Sequence, residues 1–244
     1  MIKVAINGFG RIGRSALKIL LERRDATVVA INDLGDIKAL AHILKHDSTY
    51  GLYDKKISYT DHSLLINSRE IPVISEPNPE KLPWKKFGVD VVIECTGRFT
   101  KSEDAKKHLK AGAKKVVISA PAKDEGIKTV VLGVNEEVVE KTDKILSNAS
   151  CTTNCIAPIM KVLEDNFGVE KAMMTPVHSY TASQRILDAP AKDLRESRTA
   201  GTNIIPTTTG ASKAAALTIP SLKGKFNGLS VRVPTPVVSL ADIT

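Results

Sequence analysis

The stretch "KVAINGFGRIG", residues 3–13, decides the fold of the first half of the chain. Its apolar start predicts a buried β-strand, and the glycine-rich turn that follows opens a predicted helix, "RIGRSALKILLERR". Gly8, Gly10 and Gly13 have the G-x-G-x-x-G spacing, which permits a tight turn and brings backbone N–H groups close to a pyrophosphate. The sequence therefore predicts a strand–turn–helix unit that binds a dinucleotide.

An acidic residue follows at the end of the next predicted strand, "TVVAIN". Asp33 stands about 20 residues after the last glycine of the turn, where a carboxylate can accept hydrogen bonds from ribose hydroxyls. A carboxylate there also repels a 2′-phosphate. The position of Asp33 favours NAD as the cofactor, with NADP left open as an alternative.

The pattern of apolar and polar residues along the chain changes near residue 150. Before it, strand-like runs alternate with helical patterns, which is typical of a doubly wound parallel sheet of the Rossmann type. After it, the helical "IAPIMKVLEDNFG" is followed by "EKAMMTPVHSYT" and "GLSVRVPTPVVSL", whose semi-alternating pattern is typical of antiparallel strands. We predict an α/β protein with a dinucleotide-binding domain at 1–150 and an α+β catalytic domain with a mostly antiparallel sheet at 151–244.

Composition and charge narrow the class of protein. The chain has 244 residues and a formal net charge of +8, from 35 Lys and Arg against 27 Asp and Glu. The lysines are scattered in pairs without interleaved aromatic residues, so we predict no specific nucleic-acid binding. No stretch approaches the ~18 apolar residues of a membrane span, and the N-terminus has no signal-peptide pattern. Three cysteines without nearby histidines predict reduced thiols, no metal site and a cytoplasmic location.

One cysteine stands where a thiol becomes reactive. Cys151, in "SNASCTTNC", follows the capping residue Ser150 at the predicted start of a helix, where the helix dipole favours a thiolate. His178 ends a predicted strand and is the candidate base. We interpret Cys95 and Cys155 as buried, inert thiols. The other four histidines are expected at the surface: His42, His46, His62 and His108.

Several motifs together resemble the phosphorylating glyceraldehyde-3-phosphate dehydrogenase family: "NGFGRIGR", "SNASCTTNC", "HSYTASQ", "IIPTTTGASKA" and "VRVPTPVVSL", in order along the chain. The resemblance implies that Cys151 attacks the aldehyde of glyceraldehyde 3-phosphate and that His178 accepts the hydroxyl proton. Inorganic phosphate would then release 1,3-bisphosphoglycerate from a thioester while NAD is reduced.

The same resemblance implies further site residues. It places Arg11 and Ile12 at the pyrophosphate, Asp33 at the ribose, and Thr96 and Ser119 along the cofactor. It implies that the substrate phosphate meets Thr181 and Arg232. The attacking phosphate would meet four residues: Ser150, Thr152, Thr209 and Gly210. The segment 183–203 resembles a loop that reaches the cofactor site of a neighbouring subunit in a homotetramer.

The chain departs from the family pattern in places. Pro77 stands where many members have a basic residue near the adenine, and Ala189 replaces a leucine common in NAD-specific members. Glu196 occupies a position that often helps to bind phosphate, so we expect Arg195 or Arg198 to take over that role. Family members continue beyond "SLADIT", which predicts that this chain is a fragment with an incomplete catalytic domain.

Three rival functions stay open at this point. An erythrose-4-phosphate dehydrogenase would use the same thiol and base on a longer aldehyde. A non-catalytic dinucleotide-binding module would not need the thiol. A cysteine hydrolase that uses Cys151 and His178 without a cofactor conflicts with the glycine turn.

Overall fold

The computed structural model describes residues 1–244, which form two compact units. The N-terminal unit comprises Met1–Val130 and Glu137–Ala149, and the C-terminal unit comprises Val131–Glu136 and Ser150–Thr244. The division into a cofactor domain and a catalytic domain stays a prediction about what the two units do.

The N-terminal unit is built on a sheet of nine strands. Its strands, with a separate two-stranded ribbon of β3 and β4, are β1 (Ile2–Asn7), β2 (Ala26–Asn32), β3 (His46–Asp47), β4 (Gly51–Leu52), β5 (Ile57–Tyr59), β6 (Ser63–Ile66), β7 (Arg69–Ile74), β8 (Val91–Glu94), β9 (Lys115–Ile118), β10 (Lys128–Thr129) and β11 (Ile145–Ser147). Its helices are α1 (Arg11–Leu20), α2 (Ile37–Lys45), α3 (Trp84–Phe87) and α4 (Ser102–Lys110). Of the predicted strand "TVVLGV", only the first residue lies in a strand, in β10.

The strand order is β10-β11-β9-β8-β1-β2-β7-β6-β5. Pairings from β10 to β7 are parallel, and β6 and β5 add an antiparallel edge. From β1 the chain moves outward to β2 and β7, and later returns to β8 on the other side of β1. This reversal creates a crevice at the carboxyl ends of β1 and β8, where ligands bind in doubly wound sheets.

Both faces of the parallel sheet are buried, as its uninterrupted apolar strands predict. Ala5 and Ala30 pack into one core cluster with Trp84, while Ile6 and Ile31 pack into a second cluster on the opposite face. Successive residues of a strand point to opposite faces, so two layers of helices cover the one sheet. The predicted doubly wound α/β architecture is confirmed.

The C-terminal unit contains a mixed sheet beside helices α5 (Cys151–Phe167) and α6 (Ala211–Thr218). Its strands are β12 (Ala172–Ser179), β13 (Ile205–Thr207), β14 (Phe226–Gly228), β15 (Ser230–Val233) and β16 (Ser239–Ile243). The central strand β12 is antiparallel to β16 and parallel to β14 and β15, and β13 is antiparallel to β15. Antiparallel pairing spans more residue pairs than parallel pairing, so the sheet is mixed but mostly antiparallel, as predicted.

The glycines of the first turn are required by close backbone contacts. A Cβ on Gly13 would lie 2.1 Å from the carbonyl oxygen of Gly8, and Gly8 itself has φ +92°. Gly10 differs, because no atom lies within 4 Å of the place where its Cβ would stand. Two of the three glycines are therefore fixed by the fold, and the third leaves open space at the start of α1.

Substituting these glycines tests the close contacts. We expect Gly13→Ala to lower the free energy of unfolding by roughly 1–3 kcal/mol or more, because backbone must move away from the new methyl group. Gly10→Ala, the matched control, is expected to lower it by less than about 1 kcal/mol, the usual difference between Gly and Ala at a helix N-cap. Urea unfolding of both variants checks this; equal losses would contradict it.

Candidate active site

A cavity of about 300 Å³ lies at the carboxyl ends of the central parallel strands of the N-terminal unit. Four residues that line it were predicted to bind the cofactor: Gly8, Gly10, Asp33 and Thr96. The sequence interpretation missed Asn7, Asn32, Arg98 and Phe99 as lining residues. We call this cavity the nucleotide cleft.

The local contacts of the cleft fit a dinucleotide. The Asp33 carboxylate accepts hydrogen bonds from the N–H groups of Phe9 (2.6 Å) and Gly35 (2.8 Å), which hold it beside the glycine turn. Helix α1 begins at Arg11 and no side chain caps it, and the start of a helix is a place where a phosphate can bind. The open space at Gly10 lets such a group approach.

The other predicted cofactor residues lie around this turn. Arg11, Ile12 and Gly13 form the first turn of α1. Ser119 follows β9, and its hydroxyl donates a hydrogen bond to the carbonyl of Glu94 (3.0 Å). Pro77, the departure from the family pattern near the adenine, lines the cleft and presents an apolar ring there.

In the C-terminal unit, Cys151 is the first residue of α5, as predicted. The Ser150 hydroxyl accepts a hydrogen bond from the Thr153 N–H (3.0 Å), which caps the helix. The exposed Cys151 Sγ lies 3.5 Å from Nε2 of His178. This hydrogen bond lowers the pKa of Cys151 to about 7, while partial burial opposes the shift. The same contact raises the pKa of His178. The pair is therefore suited to form a thiolate and an imidazolium near neutral pH.

The other ring nitrogen of His178 faces two partners. Nδ1 lies 2.6 Å from the carbonyl oxygen of Ser179 and 2.6 Å from Nη1 of Arg232. A carbonyl accepts hydrogen bonds and a guanidinium only donates them, so Nδ1 serves one of the two at a time. Donation to Ser179 favours the charged ring, and the positive charge of Arg232 opposes it.

Arg232 reaches this position through strand pairing. It lies on β15 opposite His178 of β12, in parallel register. Its guanidinium is partly buried, and its Nε is buried without a hydrogen-bond partner. A partly buried cation with a spare donor, next to a thiol and an imidazole, is suited to bind an anionic group of a substrate.

The C-terminal unit also contains the other predicted phosphate ligands: Thr152, Thr181, Thr209 and Gly210. The Thr152 hydroxyl is 4.0 Å from the Cys151 sulfur, and the Thr209 hydroxyl accepts from the Ala211 N–H (3.1 Å) next to Gly210, the N-cap of α6. Thr181 is tied to Gln184 by a backbone N–H bond (3.1 Å).

Arg195 is the predicted ligand with the weakest structural support. Its guanidinium is exposed and paired with the carboxylate of Asp193 at 2.7 Å. The alternative Arg198 pairs with Asp188 at 3.4 Å. Glu196 accepts a hydrogen bond from the Thr207 hydroxyl (2.9 Å) and lies close enough to Arg232 to act on its charge. Arg195 and Arg198 thus each already have a carboxylate partner.

Two expectations about cysteine and histidine are wrong. Cys155 is exposed, because the buried face of α5 consists of Thr153, Ile156, Ala157 and Met160 and leaves positions 151 and 155 on the opposite face. His108 was expected at the surface but is fully buried, since hydrogen bonds satisfy both of its ring nitrogens. Cys95 is partly buried, and burial raises its pKa to about 11, which favours the protonated thiol; its inertness stays a prediction.

None of the helices has the length and apolar character needed to cross a membrane.

Comparison with known proteins covers most of the chain. Residues 2–102 match the family described as glyceraldehyde 3-phosphate dehydrogenase, NAD binding domain, and residues 150–244 match its C-terminal domain. The chain is 58% identical over 243 residues to the glyceraldehyde-3-phosphate dehydrogenase of Geobacillus stearothermophilus, covering 99% of this chain and 72% of that relative. It is 56% identical over 244 residues to glyceraldehyde-3-phosphate dehydrogenase 1 of Bacillus cereus, covering all of this chain and 73% of that relative. The chain therefore belongs to the glyceraldehyde-3-phosphate dehydrogenase family.

Proposed function

We propose that this chain oxidises glyceraldehyde 3-phosphate to 1,3-bisphosphoglycerate, with inorganic phosphate as the second substrate and NAD as the oxidant. The observation that carries the proposal is the hydrogen-bonded pair of Cys151 and His178 at the start of α5. Membership of the family supports the assignment of glyceraldehyde 3-phosphate as the substrate. The match of residues 2–102 to an NAD binding domain supports the assignment of NAD as the cofactor.

The first step belongs to Cys151. Its thiolate, stabilised by the His178 imidazole and by the helix N-terminus, adds to the aldehyde carbon and forms a hemithioacetal. The backbone N–H groups at the start of α5 face developing negative charge on the former carbonyl oxygen, and the imidazolium donates to it. The thiolate is available near pH 7 because the pKa of Cys151 is lowered to about 7.

His178 then acts as the base. It accepts the hydroxyl proton of the hemithioacetal while the hydride leaves the same carbon, which yields a thioester on Cys151. NAD, when bound, supplies the acceptor for that hydride. Inorganic phosphate attacks the thioester carbonyl, the Cys151 thiolate leaves, and the acyl phosphate is released.

The two phosphate groups are assigned to different side chains. We place the phosphate of the aldehyde substrate at Thr181 and Arg232, because the guanidinium has a donor free and lies beside His178. We place inorganic phosphate at a set of hydroxyl and backbone donors near the two helix starts: Ser150, Thr152, Thr209 and Gly210. Arg195 is left out of this set because its guanidinium is exposed and paired with Asp193.

Asp33 favours NAD, with NADP as the alternative. The loop around residues 183–203 exposes Ile186, Leu187 and Leu194, and these apolar side chains are suited to a contact with another copy of the chain in a homotetramer. A cytoplasmic location is proposed from the three free thiols.

Removing the thiol should abolish turnover. We expect Cys151→Ala to lower the rate of phosphate-dependent NADH formation by at least about a thousandfold, because no thioester can form. Cys155→Ala is the matched control, since it removes the neighbouring exposed thiol one turn along α5. Absorbance of NADH measures both, with erythrose 4-phosphate as a competing aldehyde. Equal activity of the two variants would contradict the assignment, and a preference for the longer aldehyde would redirect it.

The pH dependence of alkylation should report the thiol–imidazole pair. Only thiolates react with iodoacetamide, so the labelling rate of Cys151 should rise with pH around a midpoint near 7. His178→Gln removes the main cause of the lowered pKa and should move this midpoint upward, toward the ordinary value of about 8.5. Peptide mass spectrometry separates Cys151 from Cys95, which should stay unlabelled at neutral pH because its pKa is about 11. An unchanged midpoint in the variant would count against the pair.

Loss of Arg232 should raise the KM of a phosphorylated aldehyde only. We expect Arg232→Gln to raise the KM for glyceraldehyde 3-phosphate by about 10- to 100-fold, the range for losing a hydrogen-bonded charge pair. Glyceraldehyde without phosphate is the matched control substrate, and its KM should stay the same. Equal changes for both aldehydes would show that Arg232 acts on His178 and not on the phosphate.

A further inference from the structure

Five buried side chains form one row of hydrogen bonds across the carboxyl edge of the parallel sheet. They are Asn32, Asn7, Glu94, His108 and Trp84, and each is at most 5% exposed. The first three are the last residues of β2, β1 and β8, and parallel register pairs Asn7 with both Asn32 and Glu94. We call this set the buried polar row. It spans the strands on either side of the crevice, and two of its members line the nucleotide cleft.

The direction of the hydrogen bonds is fixed at the Asn32 end by backbone. The Asn32 amide oxygen accepts from the N–H of Glu76 (3.0 Å), and its amide nitrogen donates to the carbonyl of Glu76 (3.0 Å) and to Oδ1 of Asn7 (2.7 Å). The Asn7 amide nitrogen therefore points the other way and donates to Oε2 of Glu94 (2.5 Å). If either side-chain amide were flipped by 180°, at least one of its hydrogen bonds would be lost.

The direction is also fixed at the Trp84 end. An indole nitrogen can only donate, and the Trp84 N–H lies 3.0 Å from Nδ1 of His108. His108 Nδ1 is thus the acceptor, the ring proton sits on Nε2, and Nε2 donates to Oε2 of Glu94 (3.0 Å). Hydrogen bonds from both ends of the row converge on one carboxylate.

The second oxygen of Glu94 holds the wall of the cleft. Oε1 accepts hydrogen bonds from the backbone N–H of Thr96 (2.7 Å) and from the Thr96 hydroxyl. Thr96 lines the nucleotide cleft and packs against the glycine turn, because a Cβ on Gly8 would lie 2.8 Å from the Thr96 nitrogen. Glu94 therefore ties the glycine turn, the end of β1 and the loop after β8 into one unit.

We propose that Glu94 is a positioning residue for the dinucleotide. It does not line the cleft itself; it sets the positions of Asn7 and Thr96, which do. This inference rests on the proposed function, since it assumes that the cleft binds NAD. Four donors surround the two oxygens, so the row requires an acceptor with no hydrogen of its own, and a carboxylate is the only side chain of this shape that qualifies.

Glutamine has the same shape as glutamate, but at position 94 it should not fit the surrounding hydrogen-bond donors. In Glu94→Gln the new NH₂ group must face either Thr96 or the donors of Asn7 and His108. Asn7 is held by Asn32, and His108 cannot move its proton to Nδ1 while the Trp84 indole donates there. The mismatch is relieved only by displacing a residue that lines the cleft.

NAD binding by the 244-residue chain tests the proposal, with calorimetric titration as the measurement. We expect Glu94→Gln to weaken NAD binding by about tenfold or more. Glu103→Gln, an exposed Glu on α4, is the matched control and should bind like the unsubstituted chain. Equal affinity of Glu94→Gln and Glu103→Gln would overturn the inference. Failure of the unsubstituted chain to bind NAD would instead overturn the proposed function, and the inference with it.

A second pair of variants separates positioning from simple loss of packing. His108→Gln keeps one donor toward Glu94 and one acceptor toward Trp84, whereas His108→Leu keeps volume but neither. We expect His108→Gln to bind NAD within a few-fold of the unsubstituted chain and His108→Leu to lose about tenfold or more. Trp84 is the only tryptophan, so its single indole N–H resonance reports the row directly. Its position should be nearly kept in His108→Gln and shifted in His108→Leu. Equal NAD affinities in this pair would overturn the inference, and the pair also decides it if Glu94→Gln does not fold.

Discussion

Parallel pairing of strands places distant residues side by side in both units of this protein. In the N-terminal unit, the register of β1 with β2 and β8 aligns Asn7, Asn32 and Glu94 at one edge of the sheet. In the C-terminal unit, the parallel register of β12 and β15 sets Arg232 opposite His178. Neighbouring parallel strands end at the same edge of a sheet, so the side chains of their last residues lie close together there. The nucleotide cleft and the thiol–imidazole site both depend on this constraint.

The helix that carries the thiol adds a second constraint, which is electrostatic. Ser150 caps α5 and satisfies one of its free N–H groups, while Cys151 occupies the first helical position. A thiolate there is stabilised by the helix dipole and by the His178 hydrogen bond, and burial works against it. The His178 hydrogen bond outweighs burial at Cys151, which is an exposed residue. For Cys95 burial is the larger effect, and the pKa moves the opposite way.

Local patterns in the sequence predicted the parts of the structure that depend on local physics. The glycine turn, the start of α5 at Cys151 and the position of His178 at the end of β12 all follow from turn, cap and periodicity signals. The buried polar row was not predicted, because its hydrogen bonds join residues as far apart as 7 and 94. A polar residue at the end of each central strand is the signal that could have indicated it. His108 was misassigned since a histidine on an amphipathic helix looks solvent-facing until its two partners are known.

The contrast between the two histidines explains why only one is suited to chemistry. Each ring has one nitrogen directed at an acidic group, Cys151 for His178 and Glu94 for His108. They differ at the other nitrogen. His108 Nδ1 accepts a hydrogen bond from an indole N–H, so the ring proton is on Nε2. His178 Nδ1 faces the Ser179 carbonyl, which can accept a hydrogen bond from a protonated Nδ1, and also Arg232 Nη1, which can only donate to an unprotonated one. Either state of Nδ1 therefore has a partner, and the ring is only partly buried. His178 can therefore gain and lose a proton at Nε2 while Nδ1 stays bonded, which is what a general base requires. His108 is restricted to orienting its neighbours.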